Sequence, residues 1–526
     1  LNVYIYIMNL KSKKYIIWFL GALVLVCIAG FTINYSLKRK LETKLKSLSE
    51  TIKIEYKDIS LNAFTGRLNV NEPHIRVYGK TTDTVNLSIT LKRLNIEGVS
   101  YWSYVFNDKI YADKVIFEQP NIRYYHNNLV QNNTYHKRFN SSFKHKVAIQ
   151  YLEIVDGKLD VYQAQNNTLA LKSNAINFKI EDVSIAPNTT KAHISYKNYS
   201  VNSSNVFFKI SAFEDLNLTH ININPETIKL TDVKLNTSLS QNALSNHITT
   251  ERDHYNLNID SIALKYPDFG LKQDSLFYFN SPLTTIYQAN FEIFRDKLLP
   301  DDMSYKPLYS KMLRELNFNM ALDTLQIKNS AINYTEKVKA NTKGGELRFS
   351  NLNANITNLG NTYIDKTHID INAIFMKHTP LHVQWNFNVN NKNDAFVFKS
   401  DIGKFHAHDL NQFMTPNLNV KLEGEVEKLY FTVSGNAITS QIDAKLKYED
   451  FDVVVLKKNG KEKNKLLSTV LNIFISKDSN NDAKTFSYGS KEHIHRDRTK
   501  SIFNFIWLNL KQALMGAIVG NGKKKP

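Results

Sequence analysis

The chain has one cysteine, 18 glycines and 11 prolines in 526 residues. Cys27 has no partner within the chain, so neither an intrachain disulfide framework nor a cysteine metal cluster can hold the fold. So little glycine and proline excludes a collagen-like or linker-rich polymer. Long apolar runs are missing too, with one exception near the start, which excludes a multi-span membrane protein. What is present is a 42% hydrophobic, 12% aromatic chain, too apolar to stay disordered and able to bury a core along most of its length.

The formal charge of +18 is unevenly placed. Residues 1–57 carry ten Lys/Arg against three acids and residues 491–526 carry eight against two, so only +5 is left for everything between. A phosphate-tracking groove needs a basic stripe where the fold is, so no nucleic-acid partner is expected. Basic ends beside apolar stretches point to membrane surfaces instead.

The exceptional run, Tyr15 to Leu37, contains no charged residue. As a helix it reaches roughly 34 Å, enough to cross a bilayer. Trp18 and Tyr35 sit near its ends, where interfacial aromatics belong. The expectation is a short N-terminal segment 1–14, a transmembrane helix 15–37 and a charged juxtamembrane helix 38–53. Met8, followed by Lys11, Lys13 and Lys14, reads as a more natural start than Leu1. A positive-inside count puts the C-terminal side in the cytoplasm, because Lys38, Arg39, Lys40, Lys44 and Lys46 follow the span. Long domains translocate largely regardless of such charge, so the count leaves orientation open.

Past residue 53 the period changes to two. Ile54, Tyr56, Ile59 and Leu61 alternate with polar residues through a one-residue slip, the mark of a strand with a bulge. The same spacing recurs at Phe178, Ile180, Val183, Ile185, at Leu347, Phe349, Leu352, Ala354, Ile356, and at Leu446, Tyr448, Phe451, Val453. Three segments read as strand, turn, strand: Val115 to Tyr124 around Pro120, Leu152 to Val161 around Gly157, and Leu325 to Tyr334 around Asn329 and Ser330. The one clear helical interruption lies within Asp296 to Leu316. The fold expected for residues 54–490 is therefore mainly β and antiparallel, either a series of sandwiches or one elongated sheet curled into a groove.

In the basic tail 491–526, residues 501–520 form an apolar helix with Ile502, Phe503, Ile506, Leu510, Leu514 and Ala517 on one face. It can lie on a membrane, dock on the end of the sheet or form a second span. Chemistry-bearing motifs are absent: there is no phosphate-cradling glycine loop, no G-x-S-x-G elbow and no H-E-x-x-H. His406 with His408 and His493 with His495 have strand spacing but no third ligand nearby in sequence. No catalytic residue, metal or cofactor is expected.

Several of these segments together resemble a known family. The N-terminal span, the run from Ile54 to Ser60 leading to Phe64-Thr65-Gly66, and Gly98-Val99-Ser100 before the strand with Pro120 and Tyr124-Tyr125 resemble the AsmA-like outer-membrane biogenesis proteins. Leu322 to Glu336, Gly345 to Phe349, Leu352 to Asn358 and Arg496 to Trp507 resemble the form found in Bacteroidota-type bacteria. That resemblance implies an inner-membrane anchor, a periplasmic body shaped as a hydrophobic β-groove, and a role in phospholipid transport between the inner and outer membranes. It implies translocation of the C-terminal side, against the charge count. At 526 residues the chain is short beside the largest bridge-forming relatives.

On this reading residues of one strand parity line the groove, with Ile89, Leu91, Ile96, Leu325, Ile327, Phe349 and Ile356 as candidates; the same residues also suit the core of a β-sandwich. Trp18, Tyr35, Phe503, Ile506, Leu510 and Leu514 are the candidate membrane contacts. Expected partners are phospholipids, the inner membrane, and the outer membrane or its assembly proteins. The alternative function is a non-catalytic, membrane-anchored scaffold for outer-membrane protein assembly.

Overall fold

The structure is a computed structural model and describes residues 28–43, 45, 52–78, 85–100, 109–126, 146–163, 165–185, 194–272, 276–457, 477–479 and 485–519. The expected segment 1–14, the first part of the apolar run with Trp18, and Lys523 to Lys525 lie outside these residues. The chain divides into two compact units, Leu1–Lys209 with His220–Asn224, and Ile210–Thr219 with Pro225–Pro526.

In the first unit residues 28–43 are one continuous helix, so the end of the apolar run and the start of the juxtamembrane segment share it without a break. Phe31, Ile33 and Tyr35 project from it exposed. Its inner side is tied to the first hairpin, where the Asn34 carboxamide oxygen accepts the Ala63 N–H at 2.7 Å. No helix among the described residues is long and apolar enough to cross a membrane; only residues 28–37 of the uncharged run are among them.

Among the described residues the rest of this unit is mainly a sheet of seven long lines of backbone, four of them interrupted at the same level. Ile52–Glu55 continues into Asp58–Asn62, and Arg67–Asn71 into His74–Tyr78. Val85–Thr90 and Arg93–Glu97 form the third line, Lys109–Glu118 and Asn121–His126 the fourth. Lys146–Gln163, Thr168–Ile185 and Asn198–Lys209 run through the same level as unbroken strands. The break is a row of irregular residues, with φ near +50° at Glu72, Gln119, Asp156, Ala175 and Asn205. Hydrogen bonds carry the ladder across it, for example Glu72 N–H to the Lys92 carbonyl at 3.0 Å and Gln119 N–H to the Val155 carbonyl at 2.8 Å.

This corrects the strand, turn, strand expectation. At Pro120 and Gly157 the chain does not reverse; it inserts one left-handed residue and runs on. An extra residue with positive φ restores the facing of the side chains beyond it while bending the strand. The expectation of a purely antiparallel sheet is corrected as well, since Lys109–Glu118 and Asn121–His126 both pair parallel to Lys146–Gln163.

The second unit runs through Thr227–Thr237, Asp253–Lys265, Leu276–Asp296, Asn319–Lys337, Gly345–Gly360, Thr367–Phe375, Thr379–Phe387, Phe396–Ile402, Val420–Gly435, Thr439–Val455 and Ser487–His495. Each of these strands pairs with the next. One step is parallel, between Leu276–Asp296 and Asn319–Lys337. A parallel step needs a crossover, and residues 297–318 supply it with the helix Tyr309–Arg314. Asn329–Ser330 is again a bulge within one strand, with φ +51° at Asn329. Asp232, Gln288 and Asn351 repeat the left-handed residue on other strands of the unit.

The chain closes in the helix Ile502–Ile518, whose N-cap Ser501 accepts the Asn504 N–H. Ile502, Phe505, Ile506, Asn509, Ala513 and Ala517 are buried, at spacings of three and four. Ile502, Phe505, Ile506 and Ala513 of this stripe belong to the main hydrophobic core with Phe396, Phe398, Phe431, Val433, Ile442 and Tyr448.

Candidate functional site

In a sheet, directly paired residues share a face, so register shows which side chains line up. In the first unit Leu61, Leu68, Ile96, Val115, Leu152 and Ile180 pair in succession. Two residues along, Ile59, Val70, Leu94, Phe117, Ile154 and Phe178 do the same. Across the row of breaks Ile54, Ile75, Ile89, Ile122 and Leu159 form a third apolar rung. The intervening residues are polar, as in the succession Lys53, Arg76, Ser88, Arg123, Asp160. One face is apolar from rung to rung, and the slips preserve it.

Most of these side chains are half-buried, although Ile59, Val70 and Val115 are buried. Among the described residues of this unit the extensive packing is between hydrogen-bonded neighbours.

The second unit repeats the pattern. Ile228, Leu264, Thr284, Leu325, Ile356 and Ile369 pair in succession, and Thr284 is the one polar member. Leu230, Ile262, Ile286, Ile327, Ala354 and Ile371 form the neighbouring rung. Phe349 lies on the same face, its ring 5.2 Å from that of Phe375. The first rung continues into Trp385, Phe398, Val433 and Ile442, all buried.

Six of the seven candidate lining residues therefore fall on apolar faces, Ile89 and Ile96 in the first unit and Leu325, Ile327, Phe349 and Ile356 in the second; Leu91, which is buried, lies between the strands Val85–Thr90 and Arg93–Glu97. Sequence reasoning omitted the deepest members, Ile59, Val70, Trp385 and Val433. Their alternation was visible, but their rank within a face comes from strands distant in sequence.

The helix candidates need correction. Ile506 is buried against the sheet, and Leu510 and Leu514 pack half-buried on the same core. The outward side of the helix instead carries Phe503, Trp507, Met515 and Val519, each more than a third exposed, with Lys511 among them. Of the proposed helix contacts Phe503 is the exposed one, with its ring 6.3 Å from that of the buried Trp385. The helix is apolar nearly all round, so its own periodicity does not select the inward side.

The apolar face of the second unit stops at a charged rung. Asp253 accepts from Arg295 Nε at 2.7 Å and from Nη2 at 2.6 Å, and Arg295 pairs in register with Glu336. Burial works against the guanidinium charge, and the bidentate carboxylate outweighs it, holding Arg295 above its ordinary value. Next to this rung Tyr255 is pushed up to about 12, first by burial and then by the Asp253 carboxylate. Tyr334, which donates to Glu336 at 2.8 Å, is raised for the same two kinds of reason. A second ionic cluster joins Glu251 to Lys297 at 2.6 Å and Lys500 to Asp301 at 2.6 Å, tying the residue before the C-terminal helix to the crossover.

The His406 and His408 rings stack with centroids 5.3 Å apart, beside Glu425 and Asp409 respectively. No cluster of three or more His, Cys, Asp or Glu suited to a metal occurs among the described residues. A cleft of about 750 Å³ lies on the polar face of the second unit, lined by Asn256, Glu292, Asn333, Glu346 and Arg348. Comparison of the chain with protein-family models returns no match, and comparison with curated proteins returns none either.

Proposed function

We propose that the chain is an AsmA-like protein, anchored in the inner membrane by residues 15–37, whose periplasmic body carries phospholipid between inner and outer membranes in support of outer-membrane biogenesis. The observation that carries this reading is the unbroken succession of apolar rungs in the first unit, most of whose members are half-buried. A sandwich would cover such a face; a curled groove for acyl chains would leave it accessible. An acyl chain leaving a bilayer forfeits about 0.8 kcal/mol per methylene exposed to water, so a continuous apolar face lowers the barrier without any catalytic group. Headgroups would stay wet at charged rims such as the Asp253–Arg295 rung.

The scaffold reading draws on the filled core beneath the C-terminal helix, which is packed as a protein interior and leaves no room for lipid there. Mass spectrometry of lipids co-purifying with the detergent-extracted chain separates the two. Phospholipid retained above the level of an unrelated single-span control is expected; equal amounts would favour the scaffold.

A further inference from the structure

The apolar face of the second unit is divided into two stretches. Up to Ile369 and Ile371 its rungs mix buried members, Ile228, Leu264, Thr284, Leu325 and Ala354, with half-buried ones; from Trp385 onward every member of the first rung is buried, in one core with the helix Ile502–Ile518 and Leu308 of the crossover. We propose, building on the lipid-carrying reading, that this helix is a fixed stopper that ends the lipid path, so that acyl chains reach the rungs of Phe349 and Ile356 and go no further.

Three features argue for a fixed element over a displaceable lid. Gly489 lies on the covered face opposite Ala444, and a Cβ there would collide with the Ala513 carbonyl, so helix and sheet backbones meet directly. Asn509 is fully buried in the inward stripe and accepts a hydrogen bond from the Ser440 hydroxyl at 2.9 Å, while its amide donates to the Phe505 carbonyl at 2.8 Å. Lifting the helix would break the Ser440–Asn509 bond and take from the buried Ser440 hydroxyl this partner, while the Asn509–Phe505 bond lies within the helix and would move with it. Aromatic contacts close the margin, with Tyr309 of the crossover 5.3 Å from Trp385 and Phe505 6.4 Å from Phe396. Lipid carried along the face meets a wall already packed like a core, and must leave at the rungs before it.

Three phenylalanines allow a like-for-like test: Phe178 in the first unit, Phe349 before the stopper and Phe398 beneath it. Each is replaced, one at a time in the full chain, by benzoylphenylalanine, and the protein is irradiated with vesicles of phosphatidylethanolamine and phosphatidylglycerol. Lipid adducts are expected at Phe178 and Phe349 and at least tenfold fewer at Phe398. Comparable labelling at all three positions would overturn the stopper and leave lipid carriage standing. No labelling at Phe178 and Phe349 would overturn lipid carriage, and the end-point with it. Gly489→Val, which forces the helix away, should bring Phe398 labelling up towards the Phe349 level; if circular dichroism shows it unfolded, Asn509→Ala loosens the same contact without added bulk. A folded variant with a displaced helix and unlabelled Phe398 would show that something other than the helix excludes lipid.

Discussion

The Ser440 hydroxyl donates to the Asn509 carboxamide at 2.9 Å with both residues buried, joining a strand to a helix that begins some sixty residues later in the chain. Asn509→Ala leaves the Ser440 oxygen buried and unpartnered, which should cost about 1–3 kcal/mol. Ser440→Ala combined with Asn509→Leu should recover part of that loss. Chemical denaturation of the detergent-solubilised chain checks both, and an unchanged midpoint for Asn509→Ala would mean that water reaches the pair.

The bulge row makes a separate prediction about backbone conformation. Asn351 has φ +48°, a region open to asparagine and glycine and strained for branched side chains. Asn351→Val should destabilise by about 1–2 kcal/mol, while Asn351→Gly should be close to neutral. Equal effects of the two, read as thermal midpoints, would place the residue in ordinary strand geometry.

Tyr255 predicts a stability loss on the alkaline side. Its folded value is raised to about 12 from 10.0, so below pH 10 the folded and unfolded tyrosines are both neutral and the contribution is complete. Between pH 10 and about 12 the unfolded chain releases the proton that the folded chain still holds, and stability falls as pH rises. Tyr255→Phe should flatten that part of the profile, measured as unfolding midpoint against pH.

The outward side of the C-terminal helix predicts a second membrane contact. Phe503, Trp507 and Met515 offer apolar area and Lys511 offers charge, a combination suited to anionic headgroups. Trp507→Ser and Lys511→Glu should each weaken binding of the full chain to anionic vesicles, the second change losing its effect at high salt. Binding unaltered by both, in a sedimentation assay, would assign the contact to the N-terminal segment alone.

Ile327 tests the lining itself. Ile327→Asp places a carboxylate on the apolar rung between Ile286 and Ala354, at a cost of several kcal/mol if that surface is dry. In protein that circular dichroism shows to be folded, co-purifying phospholipid should fall; undiminished lipid would move the path off this face.

The sequence by itself determined the β class and the detail of the slips. The spacings through Ile180 and Val183, Phe349 and Leu352, and Tyr448 and Phe451 each contain a residue of φ near +50°, at Asp182, Asn351 and Asp450. That was readable because facing in a strand is a local property with a period of two, and an extra residue shows as a break in it. The uncharged run before Lys38 was equally plain, since length and charge are counted along the chain.

Tertiary structure alone decided three other matters. The segments around Pro120, Gly157 and Asn329 continue instead of turning, because partners on neighbouring strands supply the hydrogen bonds that carry the ladder past each irregular residue. The parallel steps depend on which distant strand arrives beside which, and local alternation is the same for either direction. The C-terminal helix turns Phe505, Asn509 and Ala513 inward because Ser440 supplies a partner for the amide and Gly489 leaves room for the backbone, and both lie outside the helix whose periodicity would have to reveal them.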